Sequence, residues 1–271
     1  MLCFPNAKIN LGLNIIKKRP DGFHNIETVF YPIPLCDALE IAESDSSEQY
    51  EFTSSGIPID IDPSDNIVIK AFDLIASKFE IPPTAIHLHK NIPFGAGLGG
   101  GSADAAYMIK MLNDFYKLGM NFQQMEEYAI QIGSDCPVFI QNQPVFAEGK
   151  GELFSSIELN LSGYHIVLIK PEIHISTPEA YSGTSPKKPN KSVKELISLP
   201  LKEWKENIYN DFEDSIFSNH PELATLKEEL YDSGAIYAAM SGSGSSMFGI
   251  FEKDPAIKES WKRHFIWSSK L

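Results

Sequence analysis

Five glycines fall within the seven residues Gly95–Gly101, between a short alternating stretch and a helical one. No other segment constrains the chain as strongly. Glycine admits positive φ and lets a ligand approach the main chain, at an entropic cost that a plain turn does not need. A helix that follows such a run presents its first N–H groups, and its macrodipole adds partial positive charge there. That combination suits an anion, most often a phosphate. A P-loop would carry Lys after the last glycine, whereas Gly101 is followed by Ser102 and Ala103. The formal G-x-G-x-x-G match at Gly95–Gly100 lacks the strand-ending acid of a dinucleotide site, because Asp114 falls inside the predicted helix.

An anion site has to be reconciled with 36 acidic and 23 basic side chains, a net charge of -13. The excess is local: Glu43, Asp45, Glu48, Glu51, Asp60, Asp62 and Asp65 fall in 41–66, which has no Lys or Arg. Such a balance excludes a broad nucleic-acid surface, so phosphate binding must rest on backbone geometry and a few placed lysines. Cys3, Cys36 and Cys136 are odd in number and lack metal-ligand spacing, which suits a reducing compartment. The N-terminus has no signal-peptide pattern and no apolar run is long enough to span a bilayer, so the expectation is a cytoplasmic protein without a membrane partner.

Along the chain, Ala7–Ile16 alternates, with Lys8, Asn10, Gly12 and Asn14 on one face and Ala7, Ile9, Leu11, Leu13 and Ile15 on the other. Strands are expected over 23–33, 38–42 and 85–89, within 144–170, and over 235–240 and 246–251. Asp65 is the expected N-cap of a helix through Phe79. The glycine run opens a second helix that Gly119 ends, Asn121 and Gln124 form a capping box, and Gly133 closes that helix. Ser192 caps a helix, Leu223–Tyr231 forms another, and Asp254 with Pro255 opens a last one. Strands and helices mix without regular βαβ alternation, which favours α+β. One boundary is expected, dividing the chain into 1–155 and 156–271.

The run Pro93–Ala106 resembles the second motif of the GHMP kinases, the superfamily of galactokinase, homoserine, mevalonate and phosphomevalonate kinases. Pro5-Asn6-Ala7-Lys8-Ile9-Asn10-Leu11 resembles its N-terminal motif, and Ala239–Ser246 its C-terminal glycine motif. Arg19–His24 with Glu27–Phe30, Ser64–Val68, Ile132–Phe139 and Asn210–Glu213 narrow the resemblance to the branch acting on a cytidyl-diphospho-methylerythritol. The resemblance implies two α+β domains with the active site in the cleft between them. It implies transfer of phosphate from ATP, with Mg2+, to the 2-hydroxyl of that small cytidyl diphosphate substrate, on the non-mevalonate route to isoprenoid precursors. The alternative is another GHMP small-molecule kinase, of homoserine or mevalonate type. The expected assembly is a monomer or weak homodimer.

Roles follow residue by residue. Phosphoryl transfer to an alcohol needs a carboxylate near the attacking hydroxyl, and Asp135 is the candidate base. Lys8 would keep that carboxylate ionised and offset developing charge. Its other reading is a lysine snorkelling from an edge strand. The resemblance places Pro93, Phe94, Gly95, Ala96, Gly97, Leu98, Gly99, Gly100, Gly101, Ser102 and Ala103 at the ATP phosphates and Asn66 and Lys90 at the adenosine. Ser102 could bind phosphate or metal, or only cap the helix. Asn10, Phe23, His24, Thr177 and Tyr181 are implied at the substrate, with Gly242 and Ser243 at its diphosphate. Phe23 stands where the family commonly has Tyr, keeping a stacking face without the phenol hydroxyl. His87 and His89 share a strand face but have no third ligand, so metal ligands stay unassigned.

Overall fold

The computed structural model describes residues 1–59 and 62–271. Packing gathers the chain into two compact units. One comprises Met1–Ala7, Leu35–Phe94 and Gly99–Gln143, and the other Lys8–Pro34, Gly95–Leu98 and Pro144–Leu271. Packing therefore does not follow a single cut such as the 155/156 boundary. The physical reason is strand pairing. The first six strands are β1 (Leu2–Cys3), β2 (Asn6–Lys18), β3 (His24–Cys36), β4 (Ala38–Glu43), β5 (Tyr50–Gly56) and β6 (Thr84–Lys90). Of these, β3 pairs with β7 (Val145–Glu148), Thr28 opposite Ala147, which draws the early hairpin to the later part of the chain.

In the first unit, one sheet runs β1-β4-β6-β5. Strands β4 and β6 are antiparallel, with Leu39 opposite Leu88 and Ile41 opposite Ile86, and all four side chains are buried. Among the described residues, the helices of this unit are α1 (Ile67–Ala76), α2 (Gly100–Phe115), α3 (Phe122–Ile132) and α4 (Val138–Gln141). Helix α1 packs on α2, and α2 reaches β4. Val68, Phe72 and Ile75, expected with Phe79 on one face, are buried on α1, which ends at Ala76, short of Phe79. Its cap, however, is Asn66, whose extended backbone lets Oδ1 accept the Val68 N–H at 2.9 Å; Asp65 ends a preceding 3-10 turn. The capping box at Asn121 and Gln124 and the end at Gly133 stand as expected. Strand β5, which lies parallel to β6 at the sheet edge, was not expected. Its apolar alternation is limited to Tyr50 and Phe52, and Thr53–Gly56 is polar and exposed. Its Thr53 and Ser55 hydroxyls are bonded to His87 and His89.

In the second unit, β2-β3-β7-β8 form one sheet, β8 being Leu153–Ser156. A second sheet runs β10-β11-β9-β12, built from β9 (His165–Lys170), β10 (Tyr237–Met240), β11 (Met247–Phe251) and β12 (Phe265–Lys270). Its five helices are α5 (Thr177–Ser182), α6 (Val193–Leu196), α7 (Trp204–Asn207), α8 (Phe212–Asn219) and α9 (Pro221–Asp232). Helix α9 packs on β10 and β11, and Leu13, Ile15, Val167, Ile169, Leu223 and Leu230 share one core cluster. The last helix expected after Asp254 does not form. A 3-10 turn over Glu259–Arg263 buries Trp261, and β12 pairs antiparallel with β9, Ile266 opposite Ile169. The aromatic and β-branched run Phe265–Trp267 finds a sheet edge, and that pairing outweighs the local helix-start signal. Among the described residues, no helix is long and apolar enough to cross a membrane.

Candidate active site

The polar face of β2 is interior. Lys8 is only 4% exposed, which removes the snorkelling alternative. Its Nζ donates to Asn10 Oδ1 at 2.7 Å and to the Gly97 carbonyl at 3.1 Å, and lies 4.8 Å from the Phe30 ring centroid. Asn10 is fixed in turn: Nδ2 donates to Thr28 Oγ1 at 3.0 Å, and its main-chain N–H donates to Ser241 Oγ at 3.2 Å. Ser241 Oγ donates onward to the same Gly97 carbonyl at 2.8 Å. Gly97 is where the glycine requirement is sharpest. Its φ is +73°, and a Cβ there would come within 1.9 Å of the Ser241 carbonyl oxygen.

The turn carrying Gly242 and Ser243 is held by residues to which the sequence assigned no role. Asn210 Nδ2 donates to the carbonyls of Met240 and Gly242, each at 2.8 Å, and Glu213 Oε1 accepts the Met240 N–H at 2.8 Å. Burial raises the Glu213 carboxyl, against the pull of Lys227 beside it. Asn210 and Glu213 are both buried, as interior polar groups with satisfied bonds can be. The Asn-Asp-Phe-Glu run was the available signal.

Of the aromatic residues, the structure brings two together. His24 and Tyr181 stack with centroids 4.5 Å apart and planes 11° apart, and Tyr181 meets Phe212 edge-on at 4.9 Å. Burial, then the charge of Lys18, lowers the His24 pKa, which favours a neutral ring. Phe23 stands outside that stack, 57% exposed, with Lys150 Nζ 4.8 Å from its centroid. Thr177 is exposed at the start of α5, behind the Ser176 cap.

In the first unit, Gly99 caps α2 in the left-handed region, and the Ala103 N–H bonds the Gly99 carbonyl at 2.9 Å. The N–H groups of Gly100, Gly101 and Ser102 precede that bond, so helix geometry gives them no intrahelical carbonyl. Pro93 and Phe94 lead into the segment, Phe94 with its ring exposed. Gly95, Ala96 and Leu98 pack with the second unit, as Gly97 does. Ser102 lies inside the first turn and is not the cap; its side chain is bonded to the Cys136 thiol, which burial pushes up to about 12. Asn66 is committed to the α1 cap through its Oδ1. Asp135 sits half-buried in the turn between α3 and α4, where Ser134 Oγ donates to its Oδ1 at 3.3 Å. Lys90, expected at the adenosine, is 2% exposed, and its ammonium pairs with Asp37 and Asp104. Neither acid had been singled out from the sequence, although Asp104 falls within the glycine-rich motif.

Comparison with known proteins places the whole chain. Residues 66–150 match the GHMP kinases N terminal domain and residues 192–266 the GHMP kinases C terminal family. The 4-diphosphocytidyl-2-C-methyl-D-erythritol kinase of Parabacteroides distasonis is 55% identical over 273 residues, covering 100% of each chain. A crystal structure of 4-(cytidine 5'-diphospho)-2C-methyl-D-erythritol kinase matches with a TM-score of 0.83 at 27% identity, over 99% of this chain and 98% of that one. The Methanococcus jannaschii mevalonate kinase matches at 0.72 with 13% identity, over 100% and 98%, a likeness of fold alone. Whole-length identity of this degree, with both domain matches in order, means that the chain belongs to the 4-diphosphocytidyl-2-C-methyl-D-erythritol kinase family of the GHMP kinases.

Proposed function

We propose that this chain transfers the γ-phosphoryl group of ATP to the 2-hydroxyl of 4-diphosphocytidyl-2-C-methyl-D-erythritol, giving the 2-phosphate and ADP. The observation that carries this reading is the 55% identity, across the full length, to a kinase of that name. The residues support it chemically. Asp135 takes the proton of the attacking hydroxyl. Lys8, already desolvated, supplies positive charge where the transferring oxygens gain negative charge. The first-turn N–H groups of α2 bind ATP phosphate. Gly242 and Ser243, on their braced turn, face the substrate diphosphate, and Asn10 orients the substrate beside Lys8. The His24–Tyr181 pair, with the exposed face of Phe23, offers flat surfaces to the cytosine, and Thr177 a hydroxyl.

Among the described residues, no group of three or more His, Cys, Asp or Glu side chains could hold a metal ion. We infer that Mg2+ would be carried mainly by the nucleotide phosphates, with the Ser102 hydroxyl as the candidate protein ligand. Bound there, the ion would neutralise phosphate charge.

The acceptor identifies the enzyme. In an ADP-release assay with Mg-ATP, the cytidyl substrate should support turnover well above the substrate-free rate, while homoserine and mevalonate should not. Turnover with homoserine or mevalonate and none with the cytidyl compound would overturn the assignment.

A further inference from the structure

We propose that Asp37, Lys90 and Asp104 are positioning residues for nucleotide binding, forming a buried brace that ties the entry of the glycine-rich segment to the first turn of α2. Lys90 ends β6, and Asp37 lies in the link between β3 and β4. Asp37 Oδ1 accepts two successive main-chain N–H groups, Asn91 at 2.6 Å and Ile92 at 2.8 Å, and its Oδ2 accepts from Lys90 Nζ. The same ammonium donates to Asp104 Oδ2 at 2.7 Å, on the fifth residue of α2. The Phe94 ring centroid lies 5.2 Å from that ammonium. One carboxylate–ammonium–carboxylate string thus grips residues 90–92, lies under Phe94 and holds the helix whose first N–H groups would meet phosphate.

A second tie runs in parallel. Ile92, held through its N–H by Asp37, packs on Gly100, where a Cβ would meet Ile92 Cγ2 at 2.8 Å. Two separate contacts therefore set how far apart the two ends of the segment stand. Main-chain donors bind phosphate well only when held in place beforehand, so the brace acts on nucleotide affinity more than on the transfer step.

The charge state fits a brace. All three side chains are at most 2% exposed. Two carboxylates on one ammonium would leave a buried excess negative charge, which is costly. Burial, together with the Asp37 charge, raises Asp104 well above the ordinary carboxylate range against the pull of Lys90. Among the described residues, Asp104 Oδ1 has no hydrogen-bond partner. With Asp104 as the neutral acid, the triad carries no net charge, and its remaining oxygen still accepts from Lys90.

The inference rests on the kinase reading above, and direct binding separates the two. ADP affinity is measured by calorimetry on the full chain, alongside kcat and KM for ATP. Asp104→Leu keeps the branched heavy-atom skeleton and leaves a balanced Lys90–Asp37 pair, but unties α2. It should weaken ADP and raise KM for ATP about tenfold or more, with kcat at saturating ATP within about threefold. Asp104→Asn keeps an acceptor for Lys90 and should restore both constants to within about threefold of the parent. If Asp104→Leu does not fold, Asp104→Ala carries the same expectation. A folded Leu or Ala variant with parental ADP affinity overturns the brace, as does Asp104→Asn binding as poorly as Asp104→Leu. A parent protein that binds no ADP overturns the kinase reading and the brace with it. A parent that binds ADP, beside an untied variant that binds it equally, overturns the brace alone.

Discussion

Asp135→Asn is expected to lower kcat about 10²–10⁴-fold, the range that one general base contributes, while ADP affinity stays within a fewfold of the parent. The exchange conserves shape and keeps an oxygen for the Ser134 hydroxyl, which donates to Asp135 Oδ1 at 3.3 Å. What it removes is the capacity to take a proton. Because the Asp135 side chain is half-buried and the exchange keeps its shape, the fold should tolerate the change. Single-turnover phosphoryl transfer and a thermal melt together check this. A variant that melts with the parent and turns over at the parental rate would remove Asp135 from the base role.

The second large effect is expected at Gly97. Two costs combine in Gly97→Ala. At φ +73° an alanine sits in the left-handed region, which costs about 1–2 kcal/mol. Its Cβ would overlap the Ser241 carbonyl at 1.9 Å, and relieving that overlap costs roughly another 1–3 kcal/mol. Moving Gly97 also disturbs its carbonyl, which accepts from both Lys8 and Ser241. Denaturant unfolding should therefore show a loss of about 2–5 kcal/mol, with turnover reduced beyond the loss of folded protein. Gly22→Ala is the control: its φ of +86° is equally left-handed, but nothing lies within 4 Å of the added methyl. It should show the backbone cost alone. Equal destabilisation of the two variants would contradict the close approach of Gly97 to the Ser241 turn.

How much of this could be read beforehand depends on whether a signal was local. The capping box at Asn121 and the glycine that ends α3 are decided within a few residues, and they stood. The alternating face of β2 put Lys8 and Asn10 side by side, as found. Periodicity could not show that this face would be interior, because burial of an amide-and-lysine face depends on partners far along the chain, such as Ser241. Strand β5 gives only a short signal, because past Tyr50 and Phe52 its edge residues are polar and exposed. Asp254 and Pro255 are a local helix-start signal, whereas the pairing of β12 with β9 that shapes this end of the chain is long-range. Lys90 shows the limit at the site. A motif match located it near the glycine-rich segment, but only the fold reveals the two acids, 53 and 14 residues away, that take up its charge.

Proton-coupled phosphorus NMR of the product reads directly which hydroxyl receives the phosphate. In a 2-C-methylerythritol, carbon 2 carries the methyl group and no hydrogen. The new monoester resonance should therefore appear without three-bond proton splitting, beside the two resonances of the intact diphosphate. A monoester signal split into a doublet or triplet would place the phosphate on a secondary or primary hydroxyl and rule out transfer to the 2-hydroxyl.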